Sequence, residues 1–141
     1  MDKLHYTWDE FFKDAEELAR QISQHKPESL IAISRGGLFL AGLLSKYLSI
    51  HLVDTICITS YTDDKRGQLD ILKSARTDLP HPLIVDDVVD SGETMRYTLE
   101  KYNTPSVTLF YKPVSIIKPD YYLHTTDKWI SFPWDVTFMK G

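Results

Sequence analysis

Residues 83–95 carry the side chains whose types and spacing are best suited to chemistry. The segment opens with an apolar run, continues with the adjacent carboxylates of Asp86 and Asp87, and reaches Asp90 three residues later. Residues 91–94, Ser-Gly-Glu-Thr, then form a turn. Carboxylate oxygens accept hydrogen bonds from sugar hydroxyls and bind Mg²⁺, whereas backbone N–H groups at a glycine-containing helix start bind phosphate. The segment therefore predicts a site for a molecule with hydroxyls, a phosphate and a bound cation.

A simpler interpretation of the same segment is a strand-to-helix turn without a ligand. In that case Asp90 or Ser91 would be the N-cap of the following helix, a position where both residue types are common. Capping accounts for one acidic residue but not for three in the same short stretch. We therefore favour the binding site over the purely structural turn.

The elements predicted around this segment place it at one edge of a sheet. Thr7 and Glu10 have the spacing of a capping box ahead of the first helix. Strands alternating with helices predict an α/β fold with a mainly parallel twisted sheet and helices on both faces, and ligands of such sheets bind beyond the carboxyl ends of the strands. The hydrophobic patterns predict strands at 29–33, 53–60, 69–73, 83–85 and 106–111, and helices at 11–22, 38–48 and 94–102.

Two further segments follow predicted strands, so we expect them at the same edge. In the turn at residues 34–37, Gly36 permits backbone angles closed to other residues, and the planar guanidinium of Arg35 can bind a phosphate in a fork. Lys112 follows the last predicted strand. The polar stretch at residues 61–68 has the composition of a mobile surface loop. The agreement of these segments with the acidic stretch predicts one shared site.

Together these motifs resemble the signature of the type I phosphoribosyltransferases, a family that binds 5-phosphoribosyl diphosphate (PRPP). In that family two acidic residues end an apolar strand, and a D-[ST]-G-x-T loop holds the 5′-phosphate, as at residues 86–94 here. Similarity to the bacterial xanthine-guanine branch extends to residues 33–38, 53–58 and 129–135. The resemblance implies one domain over residues 1–141, with a small hood from the N- and C-terminal segments. It also implies a lid at about 60–70 and a purine-binding hood at about 112–135.

The resemblance also implies an activity in purine salvage. The 5-phosphoribosyl group of PRPP would pass to a 6-oxopurine (guanine, xanthine or hypoxanthine), with Mg²⁺ as cofactor, giving a nucleoside 5′-monophosphate and diphosphate. Asp90 is the implied general base at N7 of the purine. Lys112 is the implied donor to O6, Trp129 the stacking ring, and Ile130 the backbone contact at position 2. The implied PRPP-binding residues are Arg35, Gly36, Arg66, Asp86, Asp87, Asp90, Ser91, Gly92, Glu93 and Thr94, with Asp87 on the metal side.

Two more features of the family are expectations for this chain. One is a non-proline cis peptide in the turn at residues 34–37. The other is assembly into a homodimer or homotetramer. The apolar helix at residues 38–48 could contribute to that interface, although burial in the core accounts for its composition equally well.

Composition restricts the alternative functions. The chain has 141 residues, a net charge of −4 and a single cysteine. A negative charge argues against a sequence-independent nucleic-acid surface, and one cysteine forms no intrachain disulfide. No apolar stretch reaches the length of a membrane span, and the N-terminus lacks a secretory signal. We therefore expect a cytoplasmic protein without nucleic-acid or integral membrane contacts. The alternative is a regulator of the same fold that binds nucleic acid with PRPP or a nucleotide as effector.

Overall fold

A computed structural model of the chain describes residues 2–60 and 68–138. Each predicted helix and strand is present in it, with one correction given below. The helices are α1 (Trp8–Ser23), α2 (Gly37–Tyr47) and α3 (Glu93–Tyr102). The strands are β1 (Lys3–His5), β2 (Ser29–Ser34), β3 (Val53–Ser60), β4 (Leu69–Lys73), β5 (Pro82–Val85), β6 (Val88–Val89), β7 (Ser106–Val107), β8 (Phe110–Tyr111), β9 (His124–Thr125) and β10 (Trp129–Ser131).

The central sheet has five strands in the order β4-β3-β2-β5-β7. Strands β3, β2, β5 and β7 run parallel, and β4 returns antiparallel to β3 at the edge. Parallel strands need crossover connections, which α2 provides between β2 and β3 and α3 provides between β5 and β7. The carboxyl ends of β2 and β5 are neighbours, so the segments that follow them come together at one edge.

Side chains alternate between the two faces of β2 and so divide the core in two. Leu30 and Ala32 pack on one face with apolar residues of α1 and α2. Ile31 and Ile33 pack on the other face with Met95 of α3. Because a strand buried on both faces reads as a continuous apolar run, this is the pattern expected for a parallel sheet covered by helices. The predicted α/β fold class is confirmed.

The predicted capping box at the start of α1 is confirmed. The backbone N–H of Glu10 donates to Thr7 Oγ1 at 3.1 Å, and the backbone N–H of Thr7 donates to Glu10 Oε1 at 3.0 Å. These reciprocal bonds satisfy two of the N–H groups that lack partners within the helix. They fix where α1 begins and therefore how its apolar face meets the sheet.

The prediction of a single strand over residues 106–111 is wrong. Strand β7 pairs with β5 in the central sheet, whereas β8 belongs to a separate three-stranded sheet with the order β6-β8-β9. Between them the backbone N–H groups of Leu109 and Phe110 both donate to the carbonyl of Asp87, each at 3.1 Å. Residues 106–110 are all buried, on both sides of the break, so the hydrophobicity of the run gave no sign of it.

A hood over the sheet is built from both ends of the chain. Strand β1 pairs in parallel with β10, with Lys3 opposite Trp129 and Leu4 opposite Ile130. Asp14 of α1 ties this region together, since Tyr6 donates to its carboxylate and His124 Nε2 lies 2.7 Å from Asp14 Oδ2. Burial and the neighbouring carboxylate raise the pKa of Tyr6 well above its usual range.

Within residues 2–60 and 68–138, no helix combines the length and apolar character that a membrane span requires.

Candidate active site

Asp86 and Asp87, the two acidic residues after β5, lie side by side, so their negative charges repel each other. The backbone N–H of Asp87 donates to Asp86 Oδ1, and that of Val88 donates to Asp87 Oδ1, each at 2.8 Å. Burial raises the pKa of both acids, and the charge of Asp87 raises the pKa of Asp86 further. A cation at this position would relieve the repulsion between them.

The donor set at this pair fits Mg²⁺. No group of three or more His, Cys, Asp or Glu side chains suited to a metal occurs among the residues that the structure describes. Mg²⁺ does not need such a cage, because it is usually held by one or two carboxylates together with substrate phosphates and water. Asp86 and Asp87 would supply the protein's share of the ligands.

The turn after β2 packs directly against the acid pair. The Ser34–Arg35 peptide bond is cis, as expected for the family. A Cβ added to Gly36 would lie 2.2 Å from Asp87 Oδ2, and one added to Gly37 would lie 2.4 Å from the carbonyl oxygen of Val85. Only glycine leaves room for this approach. The exposed side chain of Arg35 and the carboxylate of Asp87 line the same groove.

The turn before α3 leaves the N-terminus of that helix open. The N-cap is Gly92, in the left-handed region at φ 94°, and no side chain caps the helix. The interpretation of Asp90 or Ser91 as the N-cap is therefore wrong; Ser91 Oγ makes only a long contact of 3.4 Å with the N–H of Glu93. Unpaired N–H groups at a helix start attract anions. A cavity of about 100 Å³ lies here, lined by Asp86, Val88, Val89, Asp90, Ser91, Gly92, Thr94 and Met95.

Glu93 does not line that cavity. Its side chain lines a different depression, together with Arg96, Tyr97 and Glu100 on the flank of α3. The negative charge therefore points away from the open helix start. Any contact of Glu93 with a phosphate would come from its backbone N–H group.

A second small cavity brings together the residues predicted to bind a purine. It measures about 120 Å³ and is lined by Val88, Asp90, Lys112, Trp129, Ile130, Phe132 and Asp135. Lys112 Nζ lies 3.4 Å from Asp90 Oδ1 and 5.8 Å from the centre of the Trp129 ring. The Lys112 side chain is only 12% exposed, so it is not a solvated lysine at a strand end. Trp129 is 55% exposed, so it is not core packing either.

The two cavities share a wall formed by Val88 and Asp90. A wider groove of about 1000 Å³ lies between the turn after β2 and the C-terminal segment. Its lining includes Arg35, Gly36 and Asp87, and it shares Asp135 with the second cavity. The site thus has three neighbouring parts. They are the open start of α3, the cavity that holds the Lys112 ammonium and the Trp129 ring, and the groove beside Asp86 and Asp87.

Comparison with known proteins identifies the family. A sequence model of the phosphoribosyl transferase domain matches residues 6–139. The chain belongs to the phosphoribosyltransferase family. This confirms the resemblance seen in the sequence motifs.

Individual relatives align with this phosphoribosyltransferase over most of their lengths. The xanthine-guanine phosphoribosyltransferase of Chromohalobacter salexigens is 38% identical over 133 residues, which cover 92% of this chain and 82% of the relative. A purine phosphoribosyltransferase from Pyrococcus horikoshii Ot3 superposes with a TM-score of 0.89 at 31% identity, covering 100% of this chain and 99% of the other. The xanthine-guanine-hypoxanthine phosphoribosyltransferase of Helicobacter pylori gives 0.81 at 31% identity, covering 96% and 95%.

The structure of this phosphoribosyltransferase brings together most of the residues predicted from sequence and adds others. Arg66 and residues 61–67 of the predicted lid lie outside the described residues. Phe132 and Trp134 line the site but had no predicted role. Asp135 lines the second small cavity, and its Oδ2 accepts the N–H of Phe132 at 2.9 Å. An aromatic-rich tail was the only sequence signal for Phe132 and Trp134, and it did not separate lining residues from core.

Proposed function

We propose that this phosphoribosyltransferase transfers the 5-phosphoribosyl group of PRPP to a 6-oxopurine, giving a nucleoside 5′-monophosphate and diphosphate. The observation that carries the proposal is the wall of Val88 and Asp90 shared by the two small cavities. One cavity offers an open helix start for a phosphate, and the other offers Lys112 and Trp129 for a base. The names of the relatives, which refer to purine, xanthine, guanine and hypoxanthine, support the same substrate class.

The residues on the PRPP side bind and orient the sugar phosphate. The N–H groups of residues 91–94 would hold the 5′-phosphate, and Asp86 and Asp87 would accept hydrogen bonds from the ribose hydroxyls. Arg35 would bind the diphosphate, and Gly36 would allow its backbone to approach; Arg66 is assigned to the diphosphate from sequence alone. Mg²⁺ held by Asp87 would supply positive charge that favours departure of the diphosphate.

The residues on the base side would position the purine and accept its proton. N9 of the base attacks C1 of the ribose, the bond from C1 to the diphosphate oxygen breaks, and the diphosphate leaves with the electron pair. Asp90 would accept the proton from N7, and Lys112 would donate to O6. N7 and O6 lie on the same edge of the base, so a carboxylate and an ammonium 3.4 Å apart match them. The exposed ring of Trp129 would stack on the base, and the backbone of Ile130 would contact position 2.

Initial rates with four bases test the proposal. With PRPP and Mg²⁺ present, we expect nucleotide and diphosphate from guanine, xanthine or hypoxanthine. Adenine should react at least about 100-fold more slowly, because a site built to donate to O6 meets a donor amino group there. No product with any of the four bases would contradict the proposed reaction, and equal rates with adenine would contradict the role of Lys112.

Lys112→Gln is expected to lower kcat/KM for the 6-oxopurine by about 10- to 100-fold, the range for losing a hydrogen bond from a charged group. The KM for PRPP should stay unchanged, because Lys112 lines the base cavity and not the cavity of the phosphate. Lys118→Gln is the matched control, since Lys118 is exposed and lies 5.5 Å from the ring of Tyr122. A wild-type kcat/KM in Lys112→Gln would contradict the assignment of Lys112 as the donor to O6.

We further propose a homodimer or homotetramer. Trp8, Phe12 and Phe39 form a contiguous aromatic surface across α1 and α2, and each is 40–49% exposed. Contiguous apolar surface of this kind marks interfaces between proteins. Light scattering coupled to gel filtration should give two or four times the chain mass of 16.3 kDa. A single peak at the monomer mass would contradict the assembly.

A further inference from the structure

The loop at residues 112–117 lies against the turn that leads into α3. Strands β6 and β8 pair in parallel, and the contact between their two segments continues beyond the strands. The backbone N–H of Lys112 donates to the carbonyl of Val89 at 3.0 Å, and the N–H of Ile116 donates to the carbonyl of Ser91 at 2.9 Å. Two hydrogen bonds from one loop therefore hold the start and the end of the turn.

Side chains of the same loop fill the space behind Gly92, the N-cap of α3. A Cβ added to Gly92 would lie 3.0 Å from Ile116 Cγ1 and 3.0 Å from Ile117 Cγ2. It would also lie 3.1 Å from the backbone nitrogen of Ile116. Neither isoleucine lines the cavity at the helix start, whose lining includes Ser91, Gly92 and Thr94. The loop therefore supports the turn from outside the cavity.

The hydrogen bond from Ile116 determines which way the next peptide N–H points. The only cis peptide bond among the described residues joins Ser34 and Arg35, so the peptide between Ser91 and Gly92 is trans. In a planar trans peptide the C=O and the N–H point in opposite directions. Because the carbonyl of Ser91 faces Ile116, the N–H of Gly92 points away from the loop. That orientation makes it available to an anion at the open start of α3.

We propose that Ile116 is a positioning residue, whose backbone N–H holds the Ser91 carbonyl so that the Gly92 N–H is directed at the 5′-phosphate of PRPP. The role rests on the proposed function, because the start of α3 is assigned there to that phosphate. The same loop begins with Lys112, the residue proposed to donate to O6 of the base. One short loop would therefore serve both the phosphate side and the base side of the site.

An ester bond in place of the amide at position 116 tests the role. The α-hydroxy acid that corresponds to isoleucine replaces the N–H by oxygen and keeps the side chain, which is 56% exposed, so the core stays intact. Calorimetry should show about 3- to 10-fold weaker binding of PRPP with Mg²⁺, the range for losing one hydrogen bond. Diphosphate with Mg²⁺ should bind as it does to the wild type, because it carries no 5′-phosphate.

The same ester substitution at position 114 is the matched control. Val114 lies in the same loop and is 83% exposed, and its N–H has no hydrogen-bond acceptor among the residues that the structure describes. Its ester should bind PRPP as the wild type does. Wild-type affinity for PRPP in the ester at 116, or an equal loss in both esters, would overturn the proposal. So would an equal loss of affinity for diphosphate, which would indicate general damage to the site.

A spectroscopic measurement follows the Gly92 N–H itself. Ser91 and Gly92 form the only Ser–Gly pair in the sequence, so carbonyl-¹³C serine combined with ¹⁵N-glycine selects this one peptide by NMR. PRPP with Mg²⁺ should move its amide proton downfield in the wild type, because an N–H that donates to a phosphate is deshielded. The movement should be smaller in the ester at 116 when both proteins are saturated. No movement in the wild type would refute the proposed phosphate site, whereas equal movement in both proteins would refute the positioning role alone.

Discussion

Asp86→Asn is expected to unfold at a higher temperature than the wild-type protein and to lose most of its activity. Burial and the charge of Asp87 raise the pKa of Asp86, so the charged pair opposes folding at neutral pH. Asparagine removes the charge, and its Oδ1 can still accept the N–H of Asp87. A rise of several degrees is expected, since about 1 kcal/mol shifts the Tm of a domain of this size by roughly 4 °C. Activity should fall about 100-fold or more, because the ribose hydroxyls lose a charged acceptor.

The dependence of this stability gain on pH has a definite sign. An acid with a raised pKa in the folded state keeps its proton there while the unfolded chain releases it, so stability falls as pH rises from the ordinary value of 3.8 through the raised one. The variant lacks this slope. The difference in Tm should therefore be largest near neutral pH and disappear toward pH 4. Calorimetric scans from about pH 4 to pH 8 in a chelator measure it.

Asp78→Asn is the control for both readouts. Asp78 is exposed, forms an ion pair only with Arg76 among the described residues, and lines neither cavity. Its substitution should leave activity unchanged and give no gain in Tm. Equal Tm values for Asp86→Asn and wild type at neutral pH would show that the pair of Asp86 and Asp87 does not oppose folding.

Gly36→Ala is expected to reduce kcat/KM for PRPP by about 100-fold or more, the cost of displacing a binding group by around an ångström. The new Cβ would lie 2.2 Å from Asp87 Oδ2, so the carboxylate must move. Gly36 has helical angles, φ −58° and ψ −34°, which alanine adopts without strain. Since the clash is with a side chain and not with the backbone, the loss of folding free energy should stay within about 1–3 kcal/mol.

Gly42→Ala on the same helix is the matched control for Gly36→Ala. A Cβ at Gly42 meets nothing within 4 Å, so activity should not change. Stability should rise by about 0.5–1 kcal/mol, because alanine is the better helix former. Initial rates at varied PRPP, with thermal unfolding of both variants, separate the effects. A wild-type KM for PRPP in Gly36→Ala would show that the Asp87 carboxylate can move aside without weakening the binding of PRPP.

The parts of the fold that sequence predicted are those determined by local patterns. Strands β2 and β5 are mainly apolar runs. The capping box that marks the start of α1 lies within the four residues from Thr7 to Glu10. The break between β7 and β8 depends instead on the carbonyl of Asp87, which accepts two N–H groups from a segment about 20 residues away. Strand β1 has only three residues and acquires its role from β10 at the other end of the chain. No local pattern reports such pairings.

In the candidate site, too, the features predicted from sequence are those that depend on local patterns, and the others depend on contacts between residues far apart in the chain. Residues 86–94 form one continuous stretch, so their types and spacing were enough to predict a phosphate and sugar site. Gly36 joined the prediction because the ends of neighbouring parallel strands meet. The orientation of Trp134 was beyond reach, because it depends on stacking between Phe39 and Phe132, which are far apart in sequence. The open start of α3 was the favoured of two interpretations, because capping by Asp90 or Ser91 accounted for only one of the three acidic residues.

The parallel pairing of β1 with β10 has a consequence for synthesis on the ribosome. The segments proposed to bind PRPP, at residues 34–37 and 86–94, are complete once α3 has been made. The base cavity requires Trp129 and Ile130, whose strand pairs with β1, which is translated before all the other strands and helices described. Because domains begin to fold during translation, the half for the sugar phosphate can form first. The nascent protein must therefore hold β1 without its partner until β10 has been translated.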